Sequence, residues 1–351
     1  MAGGGRMSPA PRSSSDGGPL RGRIRRAQQR REMLPADATV SLAAERDAAG
    51  IDEVLRALDD ELVGLQPVKD RISEIASLLL VDRVRQRFGL QAPRPSLHMC
   101  FTGSPGTGKT TVGVMMADLL KRLGYLDEGQ LVSVMRDELV GQFVGQTAPL
   151  THKAMKRAMG GVLFVDEAYH LYRDGSGKDY GHEAIEVMMQ VMENDRDQLV
   201  VIFAGYPDKM ETFLDSNPGL RSRIAFHLHF ADYTLPELDA IGRLMMKRSG
   251  YYLSDDAVSA FHRYLDSHRR DPRFANGRSV RNALEAARFK QAARLTAESD
   301  RRWTRDELMR IDAADLVIEG LDDPEILRGT TMLPLEPVPD RGRDYGRTGP
   351  S

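Results

Sequence analysis

The 351-residue sequence contains a single cysteine, Cys100. No disulfide can form within the chain, which fits a reducing compartment, and the apolar stretch around Cys100 reads as a small buried residue. No apolar run approaches the roughly 20 residues that a membrane-spanning helix requires. An excess of charge is also missing. The net charge is -2, which offers no broad basic surface to nucleic acid or to an anionic membrane. The basic residues are nine lysines and forty arginines, a bias of genome composition rather than of function. Residues 1–35 lack the apolar core of a secretory signal. Arg21, Arg23, Arg25, Arg26, Arg30 and Arg31 crowd there among Gly, Ser and Pro, so this segment is either a disordered tail or an acid-poor transit peptide. It also lacks the interleaved aromatics that stack on single-stranded nucleic acid. His227 and His229 share one face of a strand but lack a third ligand for zinc, and no Ser-His-Asp arrangement stands out.

What is present is ordinary for a globular chain, with 41% hydrophobic and 28% charged residues, and the length suits about two domains. Residues 40–62 read as a helix, with Val54, Leu55, Leu58 and Leu62 at helical spacing. Val63-Gly64-Leu65 breaks it, and Pro67 suits the first turn of a long helix reaching about Phe88. A proline-containing loop, Gln91–Ser96, follows. Apolar strands are then expected at Leu97–Thr102, Leu131–Val134, Val162–Val165, Leu199–Ala204 and Ile224–Phe230, with helices including Lys109–Leu123 and Glu183–Glu193 between them. Near-continuous apolar strands alternating with helices imply a five-stranded parallel sheet covered on both faces. Beyond Asp232 the reading is helical only: Leu235–Arg248, Ser254–His268, Ser279–Ala297 and a short helix near Arg305–Met309. The expected division is a tail at 1–38, an α/β domain at 39–232, a small all-helical domain at 233–320 and a second tail at 321–351.

The strongest motif is Gly103-Ser104-Pro105-Gly106-Thr107-Gly108-Lys109-Thr110, which matches GxxxxGK[ST] at every fixed position, after a strand and at the head of a helix. Its glycines let backbone N–H groups converge on phosphate oxygens at the helix's positive end. Lys109 supplies a charge for the β- and γ-phosphates, and the Thr110 hydroxyl can ligate Mg2+. Val162-Leu163-Phe164-Val165-Asp166-Glu167 is a buried strand ending in two acids. Asp166 suits the metal and Glu167 the attacking water, a pairing that favours hydrolysis of ATP over mere binding. Phosphoryl transfer needs further positive charge on the γ-phosphate. Arg223, with Arg221 as the alternative, precedes the fifth strand, where it can reach a neighbouring subunit's site. Arg278, or else Arg281, opens a later helix. Tyr206 ends the fourth strand, where it can act as a polar sensor by hydrogen-bonding a water or phosphate; it reads equally as a packing residue. Val63-Gly64 reads as an adenine contact or a simple helix break.

Between the second and third strands, Gly141 and Gly145 flank Gln142, Phe143 and Val144. An exposed Phe143-Val144 pair on such a loop would suit a peptide-gripping pore in a ring; the alternative is Phe143 tucked into the core. The polar loop Tyr172–Gly181 reads as a second pore loop or a connection.

These stretches resemble the red-type Rubisco activases (the CbbX family) of the AAA+ superfamily, from about Leu55 to Ile318, roughly three quarters of the chain. Beyond the P-loop, the likeness is carried by Leu62-Val-Gly-Leu-Gln-Pro-Val-Lys-Asp-Arg-Ile72, Leu78-Leu-Leu-Val-Asp-Arg83, Arg157-Ala-Met-Gly-Gly161 running into Asp166-Glu-Ala-Tyr169, Gln190-Val-Met-Glu-Asn194 and Phe274-Ala-Asn-Gly-Arg-Ser-Val-Arg-Asn-Ala-Leu284. The resemblance implies a homo-hexameric ring using ATP and Mg2+. The ring would pull transiently on the C-terminal tail of the Rubisco large subunit so that a bound sugar phosphate leaves, with ribulose 1,5-bisphosphate as an allosteric ligand in some members. It implies no nucleic acid or membrane partner, and a bacterial cytoplasm or an algal plastid stroma as the setting. By motif, Gly103–Thr111 with Lys109 is the nucleotide loop, Glu167 the hydrolytic acid, Phe143 the pore aromatic, Arg223 the arginine finger and Arg278 the second sensor. The family usually carries Tyr at the position of Phe143 and commonly His at that of Gln146. A remodeller of the same clade acting on another protein, of the secretion or sporulation type, is the competing expectation. Such proteins often carry a large N-terminal helical-repeat domain, for which this chain lacks room.

Overall fold

A computed structural model describes residues 33–90, 95–172, 180–298 and 300–316. The expected helix at 40–62 is two: α1 (Leu42–Ala48) and α2 (Ile51–Glu61). Gly50 breaks them apart with φ 62°, which periodicity alone does not register. Ser41 caps α1 by accepting the Ala44 N–H. The segment ahead of α1 also has order, since the Leu34 N–H donates to the Arg87 carbonyl at 2.8 Å. α3 (Gln66–Arg87) carries Pro67 in its first turn.

The alternating unit then runs β1 (His98–Gly103), α4 (Lys109–Arg122), β2 (Leu131–Val134), α5 (Arg136–Leu139), α6 (Thr147–Arg157), β3 (Val162–Val165), a 3-10 turn (Ala168–Leu171), α7 (Gly181–Asn194), β4 (Val200–Gly205), α8 (Pro207–Asp215), α9 (Pro218–Arg223) and β5 (Ile224–Phe230). All five strands are parallel, in the order β2-β3-β4-β1-β5. β3 and β4 are buried at every residue, as central parallel strands require. β5 lies at the edge and alternates. Ile224, Phe226, Leu228 and Phe230 turn inward, while Ala225, His227 and His229 remain exposed.

Two cores result. On one side Phe101, Phe164 and Phe230 meet Ile72, Leu79 and Met116 from α3 and α4, with Phe101 5.3 Å from Phe230 and 6.4 Å from Phe164 between ring centres. On the other, Cys100, Val165 and Phe203 meet Met155, Met188 and Phe213 from α6, α7 and α8. Cys100 is buried as expected, and burial pushes its thiol up to about 12. His98 is also buried. Its Nδ1 accepts the Val201 N–H at 3.0 Å and its Nε2 donates to the Met192 carbonyl at 3.2 Å, so β1 is pinned to β4 and α7 by a neutral imidazole. Burial holds its pKa down at about 4.

The chain packs as two compact units, one running to Ile241 with Ala275–Arg278 added, the other formed by Gly242–Phe274 and the residues from Ser279 onward. The boundaries fall inside α10 (Leu235–Arg248), in the loop at Phe274–Ala275 and inside α12 (Gly277–Ala297). The second unit also holds α11 (Asp255–His268), α13 (Arg305–Met309) and a closing 3-10 turn, Ala313–Leu316. It is not purely helical. β6 (Tyr252–Leu253) pairs in parallel with β7 (Arg310–Ile311), a bridge too short to leave a periodic signal. Arg294 grips the buried Asp315 through two hydrogen bonds of 2.9 and 2.7 Å. Gln291 donates to the Leu308 and Arg310 carbonyls across the same seam. Most of the Tyr172–Gly181 loop and of the two expected tails lies outside the described residues.

Candidate nucleotide site

β1 ends at Gly103 and α4 starts at Lys109, so the Gly103–Thr110 segment is a strand-to-helix turn at the C-terminal edge of the sheet. Gly108 caps α4 with φ 95°. Lys109 Nζ donates to the carbonyls of Gly103 (2.8 Å) and Ser104 (2.7 Å), and the buried Thr107 donates its hydroxyl to Ser104 O (2.8 Å). Burial lowers the pKa of Lys109, opposed by the charge of Asp166 and, more weakly, by those of Asp232 and Glu167; Arg278 reinforces the lowering. The acids at the end of β3, the loop lysine and Arg278 therefore share one electrostatic neighbourhood. Arg281 falls in the second unit.

A strap not anticipated from sequence backs the turn. Tyr233 Oη donates to Thr107 O at 3.1 Å, Gly277 N to Gly106 O at 3.1 Å, and Asn276 Nδ2 to Pro105 O at 3.4 Å. Asn276 is itself buried, donates to Asp232 at 2.8 Å and accepts the Tyr233 N–H at 3.0 Å. The fit leaves no room at Gly106, where a Cβ would lie 2.0 Å from the Ala275 carbonyl. Asn276-Gly277 stands beside Arg278 in the sequence motif. Nothing in the sequence linked Tyr233, more than a hundred residues after the loop, to Thr107.

Val63-Gly64-Leu65 also closes on the turn. Leu65 adopts φ 54°, and a Cβ on Gly108 would lie 3.2 Å from Leu62 and 3.7 Å from Leu65. Gly64 abuts Glu237, whose carboxylate occupies the space a side chain would need. Thr110 is exposed and Thr111 half-buried at the head of α4.

The residues suit Mg-ATP. A hydroxyl at Thr110 and a carboxylate at Asp166 are hard oxygen donors of the kind Mg2+ prefers, and the charge of Asp166 reaches Lys109. Asp166 Oδ1 accepts the Glu167 N–H at 3.0 Å. Glu167 turns into the left-handed region, φ 49°, and leads the 3-10 turn. Its Oε1 accepts from the Tyr169 hydroxyl at 3.2 Å, and its Oε2 lies 3.5 Å from His170 Nδ1. Tyr206 precedes α8 as its N-cap, with its ring 6.0 Å from that of Tyr169.

Arg221 and Arg223 sit on α9 at the far end of the sheet. The start of β5 pairs with the start of β1, Ile224 beside His98, whereas Gly103 pairs with Phe230. At about 3.3 Å per residue, β1 separates the two ends by roughly 16 Å. These arginines therefore stand away from their own chain's phosphate turn. Arg221 pairs with Asp215; Arg223 donates to Gly219 O at 2.8 Å and lies 3.3 Å from Glu193.

Phe143 is not tucked into the core. It is 66% exposed and Val144 82% exposed. The loop's base is nonetheless firm. The Gly141 N–H donates to the buried Thr147 hydroxyl at 3.1 Å, Thr151 donates to Leu139 O at 2.9 Å, and the Gln146 side chain accepts the Phe143 N–H at 3.3 Å. A cavity of about 720 Å³ runs from this base to the acids, lined among others by Arg136, Gln142, Gln146, Asp166, Glu167 and His170.

Residues 99–231 match the family model "ATPase family associated with various cellular activities (AAA)", and 234–325 match "AAA lid domain". The chain is 55% identical over 279 residues to the chloroplastic ribulose bisphosphate carboxylase/oxygenase activase of Cyanidioschyzon merolae, covering 80% of this chain and 95% of that protein. It is 57% identical over 264 residues to protein CbbX of Cereibacter sphaeroides, covering 75% and 85%. The chain belongs to the CbbX family of red-type Rubisco activases. As a member of this AAA+ family it is an ATPase. The crystallised AAA domain of FIGL-1 in complex with ADP shares the fold, with TM-score 0.50 and 16% identity over 72% of this chain and 80% of that one. The Gln146 amide oxygen, accepting the Phe143 N–H, brackets the turn that presents Phe143. Among the described residues, no helix is long and apolar enough to cross a membrane.

Proposed function

We propose that this ATPase reactivates inhibited red-type Rubisco, working as a homo-hexameric ring that pulls transiently on the large subunit's C-terminal tail until a bound sugar phosphate escapes. The observation that carries the pulling step is the exposed Phe143-Val144 pair on a loop whose base shares a cavity with Asp166 and Glu167. Because the base of the gripping loop and the acids line one cavity, a change at the acids can reach the loop. The kinship with an activase by name supports the choice of substrate.

In the cycle, Gly103–Thr111 and Val63-Gly64 hold ATP, and Lys109 places its charge on the β- and γ-phosphates. Thr110 and Asp166 hold Mg2+, which when bound neutralises phosphate charge. Glu167 takes a proton from water as its oxygen bonds to the γ-phosphorus and the bond to the bridging oxygen breaks, giving ADP and phosphate. Arg223, far from its own turn, meets the γ-phosphate of the adjacent subunit, while Arg278 reads the phosphates from its own chain and Tyr206 supports the site from the end of β4. Ribulose 1,5-bisphosphate is the expected allosteric ligand, and bacterial cytoplasm or plastid stroma the setting.

The test is reactivation of purified, sugar-phosphate-inhibited red-type Rubisco with Mg-ATP. Wild type should restore carboxylation, and Glu167→Gln should bind ATP yet restore none. Wild-type ATPase with no reactivation would refute Rubisco as the substrate. Full turnover by Glu167→Gln would remove Glu167 as the base.

A further inference from the structure

Glu167 carries the chemistry on a half-exposed side chain at a left-handed backbone position. A carboxylate so placed has many rotamers and needs an external restraint if it is to hold one geometry. The structure supplies one. Tyr169, two residues on, is 8% exposed and directs its hydroxyl to Glu167 Oε1 at 3.2 Å. Hydrogen bonds to an ionised acceptor are the stronger kind. Burial, then the charge of Glu167, raises the phenol pKa, so the proton stays on the donor.

The Tyr169 ring is itself clamped. Gly205 lies so close that a Cβ there would be 2.7 Å from Tyr169 Cδ1. The Tyr206 ring packs at 6.0 Å, and Lys209 Nζ sits over both rings, at 4.8 Å from Tyr169 and 5.1 Å from Tyr206. Arg136 Nη1 donates to His170 O at 2.6 Å and holds the far side of the same turn.

We infer that Tyr169 is a positioning residue for Glu167, and that Tyr206, at the sensor position, acts through the Tyr169 ring rather than through a hydroxyl on the phosphate. The inference rests on Glu167 being the base. Lys209, held by both ring faces, completes the clamp through cation–π attraction. The end of β4 thereby reports to the end of β3 through two rings packed at a tilt of 52°, and the restraint on the acid depends on the packing of both.

Steady-state ATPase and fluorescent-ATP binding on the full chain test it. Tyr169→Phe should lower kcat about tenfold with nucleotide Kd within twofold of wild type. Tyr206→Ala should lose a similar factor, and Tyr206→Phe, which keeps the ring, less than threefold. In the Glu167→Gln background, Tyr169→Phe should cause no further loss, since the two act as one unit. A Tyr169→Phe kcat within twofold of wild type would overturn the inference, as would an equal further loss on top of Glu167→Gln. Equal losses for Tyr206→Phe and Tyr206→Ala would put the Tyr206 hydroxyl on the substrate directly and also overturn it. Wild-type turnover by Glu167→Gln would sink the base assignment itself, a result separable from all of these.

Discussion

Acidification should destabilise the protein through His98, and the size of the effect follows from its surroundings. The imidazole is buried, with both nitrogens committed in the neutral form: one accepts the Val201 N–H and the other donates to Met192 O. A second proton would cost the first of these bonds and place a cation in the core near Arg223, whose charge already lowers the pKa. The folded group titrates at about 4, the unfolded one at 6.5. Between these values the unfolded chain binds more protons, so stability is constant above about 6.5 and falls as pH drops toward 4. Linkage removes about 2 kcal/mol between pH 8 and pH 5, on the way to a limit near 3.4 kcal/mol at about 1.36 kcal/mol per pH unit. Urea unfolding at the two pH values, for wild type and His98→Gln, isolates this contribution. The variant starts about 1–3 kcal/mol less stable, because two buried backbone groups must find new partners. Its loss on acidification should then be about 2 kcal/mol smaller than that of wild type. Equal losses in the two proteins, or an imidazole resonance titrating near 6.5 in the folded state, would refute the reasoning.

The strap behind the phosphate turn predicts that Tyr233→Phe, losing one bond of about 1 kcal/mol, weakens fluorescent-ATP binding roughly fivefold; unchanged affinity would mean the Thr107 contact does not shape the turn. Arg223→Ala should cut ATPase on the order of a hundredfold or more while nucleotide still binds, and mixing it with Glu167→Gln subunits should regain part of the activity, because an intact site then forms from two damaged chains. No regain on mixing would place the arginine elsewhere. Phe143→Ala should keep basal ATPase and fail to reactivate Rubisco; retained reactivation would end the grip.

The sheet and the two phosphate motifs were legible because each depends on local chemistry. Apolar runs such as Val162–Val165 and Val200–Gly205 have only one comfortable home, the middle of a parallel sheet. The GxxxxGK[ST] pattern likewise carries its own backbone requirements. What escaped was non-local or short. Tyr233 and Asn276 meet Pro105–Thr107 only after the sheet has folded, and neither residue type announces a carbonyl partner. β6 and β7 are two residues each, below any period. Gly50 hid a break inside an amphipathic run. The Phe143 question could not be closed from sequence, because a β-to-α loop aromatic can face in or out. Thr147 and Thr151 decide it by pinning the loop's base while its tip remains exposed. The same applies to the two arginines of α9. Their sequence position suggested a role in a neighbour, but only the register of β5 against β1 puts them a strand's length from their own phosphate turn.

Among the described residues, three that are not glycine hold positive φ, Leu65, Glu167 and Asn276; Leu65 and Asn276 flank the Gly103–Thr110 turn, and the charge of Glu167 reaches Lys109. Each such conformation costs about 1–2 kcal/mol, somewhat less for Asn, which tolerates it best. Leu65 offsets the cost by burying its side chain, worth about 1.5–3 kcal/mol, and Asn276 by its hydrogen bonds to Asp232, Tyr233 and Pro105. Glu167 has less in return. Its side chain remains 44% exposed, and its identified partners are the Asp166 carboxylate, the Tyr169 hydroxyl and His170. Backbone strain with the smallest local compensation thus falls on the residue proposed as the base. The hydroxyl of Tyr169, whose ring packs against Tyr206 and Lys209, is therefore the restraint on the proposed base that its own backbone does not supply.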